Sequence, residues 1–371
     1  MGIYIFTLFV LLVFSFLELR TDINKTQHRL MSLFVFSIFV FQTGLRWQTG
    51  TDWEIYLVHF EETSSIVDVF LTSTGFEQGY SYLVLLVKSI SNNYSVFLTV
   101  HALLYYFLIF KAFKKLTPYL FISLMVFYAS TMGYMGASRQ LLALGICLYA
   151  LRFVDSRKAI AFFACIVAAY FFHRTAVIFS VFYFLHRDIK KSFLIGILAA
   201  AVILGKTSFP FQMFSLLGDY ASGMASSKVS LYLDRSAEDL ANNELSVLGL
   251  VKRLLFFGLF LYNYKFLTDR IPVYKLIFNG YFVGLVFYFL FSSSLLILVN
   301  RGSLYFNAME YFLLAFQFLV LTEKNIKVNF LIVLFIISIF LLFQSISSYS
   351  DLYLPYKGIF INSDFNRYRI D

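Results

Sequence analysis

NFLIVLFIISIFLLFQSI, residues 329–346, carries no charge along its whole length and as a helix covers most of the ~30 Å of hydrocarbon in a bilayer. IYIFTLFVLLVFSFLEL (3–19), apolar but for Glu18 near its end, and SFLIGILAAAVILG (192–205) are similar runs. Composition agrees: 60% of the chain is hydrophobic, Phe supplies 48 of 371 residues, and 14% is charged, against about 25% in soluble domains. The apolar/polar alternation of barrel strands is absent, so backbone groups in lipid must be satisfied within helices. The sequence predicts an all-α, polytopic transmembrane helical bundle. The first run has no basic leader and no small-residue cleavage site before the polar stretch at Arg20, and is expected to stay as a helix rather than be removed as a signal peptide.

A net charge of +9 needs no nucleic-acid partner, because its sign is sorted by loop. Basic clusters follow greasy runs at Arg20, Lys25 and Arg29, at Lys111, Lys114 and Lys115, at Arg157 and Lys158, at Arg187, Lys190 and Lys191, at Lys265, Arg270 and Lys275, and at Lys324 and Lys327. These mark cytoplasmic loops under the positive-inside rule. From Arg46 to Gly79 one basic residue, Arg46, stands against Asp52, Glu54, Glu61, Glu62, Asp68 and Glu77. From Lys206 to Leu250, Lys206, Lys228 and Arg235 stand against Asp219, Asp234, Glu238, Asp239 and Glu244. Both acidic loops belong outside.

Spans laid between these loops give about 12 crossings with both termini outside, near 3–19, 30–45, 95–110, 118–133, 138–154, 159–172, 174–186, 192–205, 251–268, 276–292, 303–321 and 328–346. The apolar segment 80–91 does not fit as a crossing and is expected to be re-entrant or interfacial. No linker or repeat divides the chain, so 1–371 is expected to form a single transmembrane domain with outer loops 46–79 and 206–250 and an outer C-terminal tail, 347–371.

On this topology Arg46, Asp52, Trp53, Tyr56, Glu77, Arg139, His173, Arg174, Arg235, Arg301 and Lys357 all fall on or just beneath the outer face. A charge at membrane depth is costly unless partnered. Arg46, Arg139, Arg174 and Arg301 can bind phosphate bidentately, Arg139 with help from a helix N-terminus; each can equally be an interfacial residue that snorkels. Asp52 is a candidate general base, able to take the proton of an attacking sugar hydroxyl, with Glu77 and His173 as competitors. Asp52 can alternatively hold the sugar or pair with Arg46. Trp47, Trp53 and Tyr56 can stack on sugar faces or belong to an ordinary interfacial aromatic belt, and for Trp47 the belt fits better. His173, beside two phenylalanines, reads equally as a structural residue.

Other chemistries are pruned. There is no Walker A loop, dinucleotide fingerprint, G-x-S-x-G elbow or H-E-x-x-H pair, and His28, His59, His101, His173 and His186 are scattered. Cys147 and Cys165 lie inside predicted spans and have no metal or disulfide spacing. No cofactor and no metal are expected, and the substrate should arrive already activated and membrane-borne.

RWQTGTDWEIYLVHF (46–60) resembles the arginine, glycine, aspartate-aromatic, tyrosine signature of the EpsG family, Wzy-like exopolysaccharide and O-antigen polymerases of bacterial envelopes. FEQGY (76–80), SRQLLALGICLYAL (138–151), HRTAVIF (173–179) and the tail LPYKGIFINSDFNRYRI (354–370) are similar to later family elements in the same order, with Trp53, Gln78 and Thr175 where tyrosine, proline and serine are common. The resemblance implies a GT-C-like, metal-independent glycosyltransferase on the outer side of the cytoplasmic (inner) membrane. It would transfer a polyprenyl-pyrophosphate-linked glycan onto a lipid-linked repeat unit, with a chain-length regulator as a further partner. Direct displacement would invert the anomeric centre. A transporter of lipid-linked oligosaccharide and an O-antigen ligase-type transferase are the alternatives.

Overall fold

A computed structural model describes residues 1–19, 23–220, 247–295, 299 and 302–367. Along the chain run α1 (Gly2–Glu18), α2 (Lys25–Gly44), α3 (Trp53–Glu62), α4 (Asp68–Leu71), α5 (Gln78–Lys88), α6 (Tyr94–Leu116), α7 (Leu120–Thr131), α8 (Ser138–Asp155) and α9 (Ala159–Phe172). After a 3-10 segment, Arg174–Phe184, follow α10 (Lys191–Gly205), α11 (Phe209–Tyr220), α12 (Val247–Tyr262), α13 (Tyr264–Thr268), α14 (Tyr274–Phe291), α15 (Leu304–Phe316), α16 (Lys324–Ser347) and α17 (Ser350–Tyr353). Among the described residues the sole strand-like feature is one antiparallel bridge, Arg46 with Gly358.

The chain folds into two compact units, one of residues 1–180 and 314–371, the other of 181–313. In the first, α7 is the central helix: almost every residue from Leu120 to Thr131 is buried, with α1 and α16 packed against it. Its N-terminus is capped from α1, since the Glu18 carboxylate accepts the Leu120 and Phe121 N–H groups at 2.7 and 2.9 Å. This satisfies two otherwise orphaned donors. A second layer runs α2 on α6, α6 on α8 and α8 on α9. Asn24 starts α2 with a capping box, accepting Gln27 N at 2.8 Å while Gln27 Oε1 accepts Asn24 N at 3.1 Å. Asn93 caps α6, and Lys114 and Lys115 in its last turn complement the helix dipole.

Outward faces are greasy. Phe6 and Phe9 on α1, Leu33 and Phe34 on α2, and Ile336 and Phe340 on α16 are all exposed, as lipid-facing side chains are and as a soluble surface is not. By length and composition α6, α14 and α16 can cross a membrane, and a fourth crossing results if α10 and Phe209–Leu216, bent by 81°, count as one span. All twelve segments expected to cross are helical. Several are short: α7, with 12 residues, rises only about 18 Å. α5, with 11 residues, is also too short to span at ~1.5 Å per residue.

In the second unit α14 is the packing centre for α10, α12 and α13. The Asn279 side-chain amide donates to Leu185 O and Arg187 O at 2.6 and 2.8 Å, and Lys275 pairs with Asp188 at 2.6 Å.

Candidate active site

RWQTGTD forms a loop pinned by the C-terminal tail. Trp47 N donates to Lys357 O at 3.0 Å and Ile359 N to Leu45 O at 2.9 Å. Arg367 closes the tail like a clasp: Nε, Nη1 and Nη2 donate to the carbonyls of Asp351, Gln48 and Pro355, each at 2.7 Å. Lys357 is buried, with Nζ donating to Gln48 Oε1 at 2.8 Å and Asn366 Oδ1 at 2.9 Å.

The loop then lies against the turn before α8. Two glycines make that approach possible, since a Cβ on Gly136 would sit 2.4 Å from Thr51 N and one on Gly50, at φ +109°, would sit 2.8 Å from Gly136 Cα. The contact carries Asp52 and the start of α3 to the start of α8, where Arg139 occupies the first turn.

Arg139 is held on several sides. Its Nη1 forms an ion pair with Glu77 Oε2. Its backbone N and Nε donate to the Tyr56 hydroxyl at 3.2 and 3.3 Å. Phe76 lies under the guanidinium, 3.6 Å from ring centroid to Cζ, a cation–π contact that also fixes the plane of the group. Among the described residues Nη2 has no hydrogen-bond partner, and the side chain stays 22% exposed. Glu77, at the N-cap of α5, uses its other oxygen to accept the Arg174 backbone N–H at 3.3 Å. His173 ends α9, its Nδ1 2.6 Å from Thr175 Oγ1. The Arg174 side chain is exposed.

Burial and neighbouring charges set the protonation of these groups. Burial pushes the Glu77 carboxyl up, but the charges of Arg139 and His173 and a backbone N–H outweigh it and hold it below the ordinary carboxylate value. A carboxylate so stabilised is a weak base and a firm anchor. Burial raises Tyr56 despite Arg139, so its hydroxyl stays protonated. Burial, with the Arg139 charge, lowers His59 to about 4; this neutral imidazole ties α3 to Thr74 at 2.6 Å and Ser81 at 3.1 Å. Asp52 is exposed at the N-cap of α3 and makes no cap bond to the helix, and its charge is felt at Tyr56.

The residues singled out from sequence therefore separate. Glu77, Arg139, Tyr56 and the His173–Arg174 pair are brought together, with Asp52 beside them. Arg46 is not at the mouth: it is 4% exposed, and donates to Thr43 O and Ser138 Oγ, each at 3.0 Å. Trp53 is 9% exposed, and the Tyr56 ring is packed on Phe76 and Tyr80. Tyr56 thus offers its hydroxyl rather than a stacking face, because an α3 that reaches α8 must turn its rings inward. Arg235 and Arg301 lie outside the described residues. Phe76, Ser138 and Arg367 were not legible as site-builders; Phe76 directly precedes Glu77, which is the signal that could have found it. In the second unit Lys252 pairs with Glu310 at 3.0 Å, and Arg253 lies 3.7 Å over Tyr288. Among the described residues no group of three His, Cys, Asp or Glu side chains could hold a metal.

A family model described as EpsG family matches residues 29–358. No curated protein sequence and no solved structure matches the chain.

Proposed function

The chain belongs to the EpsG family, and from that premise we propose that it is a membrane polysaccharide polymerase that joins lipid-linked glycans. The donor is a polyprenyl-pyrophosphate-linked glycan and the acceptor a lipid-linked repeat unit. The site faces the outer side of the inner membrane, in a chain that crosses about twelve times. The observation that carries this reading is Arg139: a cation locked by Glu77, Tyr56 and Phe76 at a helix N-terminus, with Nη2 left to donate. A positive charge already oriented where negative charge develops lowers the barrier rather than merely binding substrate.

In this account the acceptor hydroxyl attacks the anomeric carbon of the donor while Asp52 takes its proton. The bond from that carbon to the pyrophosphate oxygen breaks, and the electron pair leaves on the pyrophosphate. Arg139 Nη2 and the exposed Arg174 guanidinium receive the growing charge, and the anomeric configuration inverts. Glu77 positions Arg139; its depressed pKa suits it poorly to proton abstraction. Pyrophosphate is a good leaving group once its charge is met, so the arginines suffice without a metal.

Reconstitution tests this. The full chain in proteoliposomes, supplied with a defined polyprenyl-pyrophosphate-linked repeat unit and a chelator, should produce longer lipid-linked glycans with no nucleotide sugar. If repeat units only cross the bilayer and are never joined, the chain is a transporter and the polymerase reading falls.

A further inference from the structure

Beside the C-terminal half of α3 lies a cleft of ≈ 710 Å³. Tyr56 of this helix reaches Arg139, while Leu57, Phe60 and Glu61, in the turn that follows, line the cleft. Its wall carries Trp47, whose ring stands edge-on to Tyr94 at 6.1 Å and 70°. Backbone pairing of Trp47 with Lys357 fixes that platform, so little further ordering is needed when something stacks on it. Around it stand Asn92, Ser64, Ser363 and the Glu61 carboxylate. Among the described residues none of these four side chains has a hydrogen-bond partner.

The charges in the cleft select the ligand class. Lys88 lines it, but its three N–H groups are committed to Phe60 O, Glu61 O and Thr63 O at 2.7, 3.3 and 2.9 Å. Lys357 has two of its three committed to Gln48 and Asn366. Lys88 has no N–H left to donate and Lys357 is buried, so with the Glu61 carboxylate exposed a phosphate gains little here. An aromatic face ringed by one unpaired amide, two hydroxyls and a carboxylate suits a ligand with apolar C–H faces and many hydroxyls, which is a sugar chain.

We propose that this cleft binds the glycan chain itself, holding sugar units away from the reacting bond, since Arg139 is not among the residues that line it. This rests on the polymerase reading and adds the site that reading lacks, since Trp53 and Tyr56 have no free ring face. Trp47, which sequence alone would assign to an interfacial belt, becomes the stacking residue.

The chain has 2 tryptophans, and Trp53 is buried, so the ligand-dependent part of the emission that disappears in Trp47→Phe reports on Trp47. The probe is the free oligosaccharide, of one or more repeat units, released by mild acid from the host's own polysaccharide and titrated into the full chain in nanodiscs. The expected result is a saturable change in emission that is lost in Trp47→Phe, with binding by calorimetry about tenfold weaker in Asn92→Ala. Ser363→Phe, at an exposed position, fills the cleft without disturbing the core and should abolish binding. Binding of equal strength in wild type, Trp47→Phe and Ser363→Phe overturns the proposal, as does no binding to the wild type. Trp47-dependent binding without chain growth on reconstitution leaves the cleft standing and removes the polymerase reading. Chain growth without Trp47-dependent binding removes the cleft alone.

Discussion

Arg139 and Arg46 grip the same end of α8 in opposite ways. Arg139 is half-buried at the mouth, partnered by a carboxylate, a phenol and an aromatic face, with one nitrogen left to donate. Arg46 is buried, its side chain bonds among the described residues only to a carbonyl and to the hydroxyl of Ser138, and its charge is felt at Tyr94 and at the buried Tyr106 and Tyr356. In the proposed reaction one arginine meets a charge that comes and goes; the other is packed into the scaffold. Both precede or follow a greasy run, so nothing in the local sequence distinguishes them. The distinction comes from the carboxylate that long-range packing delivers to one and not the other.

Substitutions should break this comparison unequally. Arg139→Ala should cost about 10²–10³ in kcat, the usual effect of removing one preorganised donor to a developing anion, measured as chain growth in proteoliposomes. Glu77→Gln keeps the shape but frees Arg139 to wander, and should cost about tenfold in kcat, in line with ~1.4 kcal/mol of lost positioning. The same variant sharpens the pH dependence. Because the folded carboxyl is depressed, its contribution to stability is complete above the ordinary value near ~4.3 and is lost as pH falls through the folded pKa. The thermal stability of the wild type should therefore fall at acid pH, and Glu77→Gln should remove part of that fall. Arg46→Ala should lower stability by about 1–3 kcal/mol, because the Thr43 carbonyl and Ser138 hydroxyl lose a buried partner, while the protein that remains folded keeps its kcat within a few-fold. Arg367→Ala, which opens the tail clasp, should have the smallest effect: faster proteolysis of the tail with Tm only slightly reduced.

The helical class was legible because uncharged runs such as 329–346 have few other fates, and all twelve expected segments are helices. Their count as crossings was less so, because a 12-residue α7 surrounded by protein looks as greasy as one in lipid. At the site, Glu77, Arg139 and the His173–Arg174 pair were visible as charges out of place in an apolar chain. What each does was hidden, since whether Glu77 acts as base or anchor depends on Arg139, 62 positions away. The inward turn of Trp53 and Tyr56 was equally hidden. It follows from Gly50 and Gly136 letting one loop lie on another, a contact between two motifs and not a property of either. Arg367 looked like one more charge in a polar tail, and only the folded tail reveals its three carbonyl partners.

The most direct test sets the two arginines side by side. Single-turnover transfer of a labelled glycan from its pyrophosphate carrier, measured in proteoliposomes and normalised to folded protein, should fall about 10²–10³-fold in Arg139→Ala and no more than a few-fold in Arg46→Ala. Equal losses in the two variants, or normal transfer without Arg139, would contradict the assignment of Arg139 as the group that meets the departing pyrophosphate.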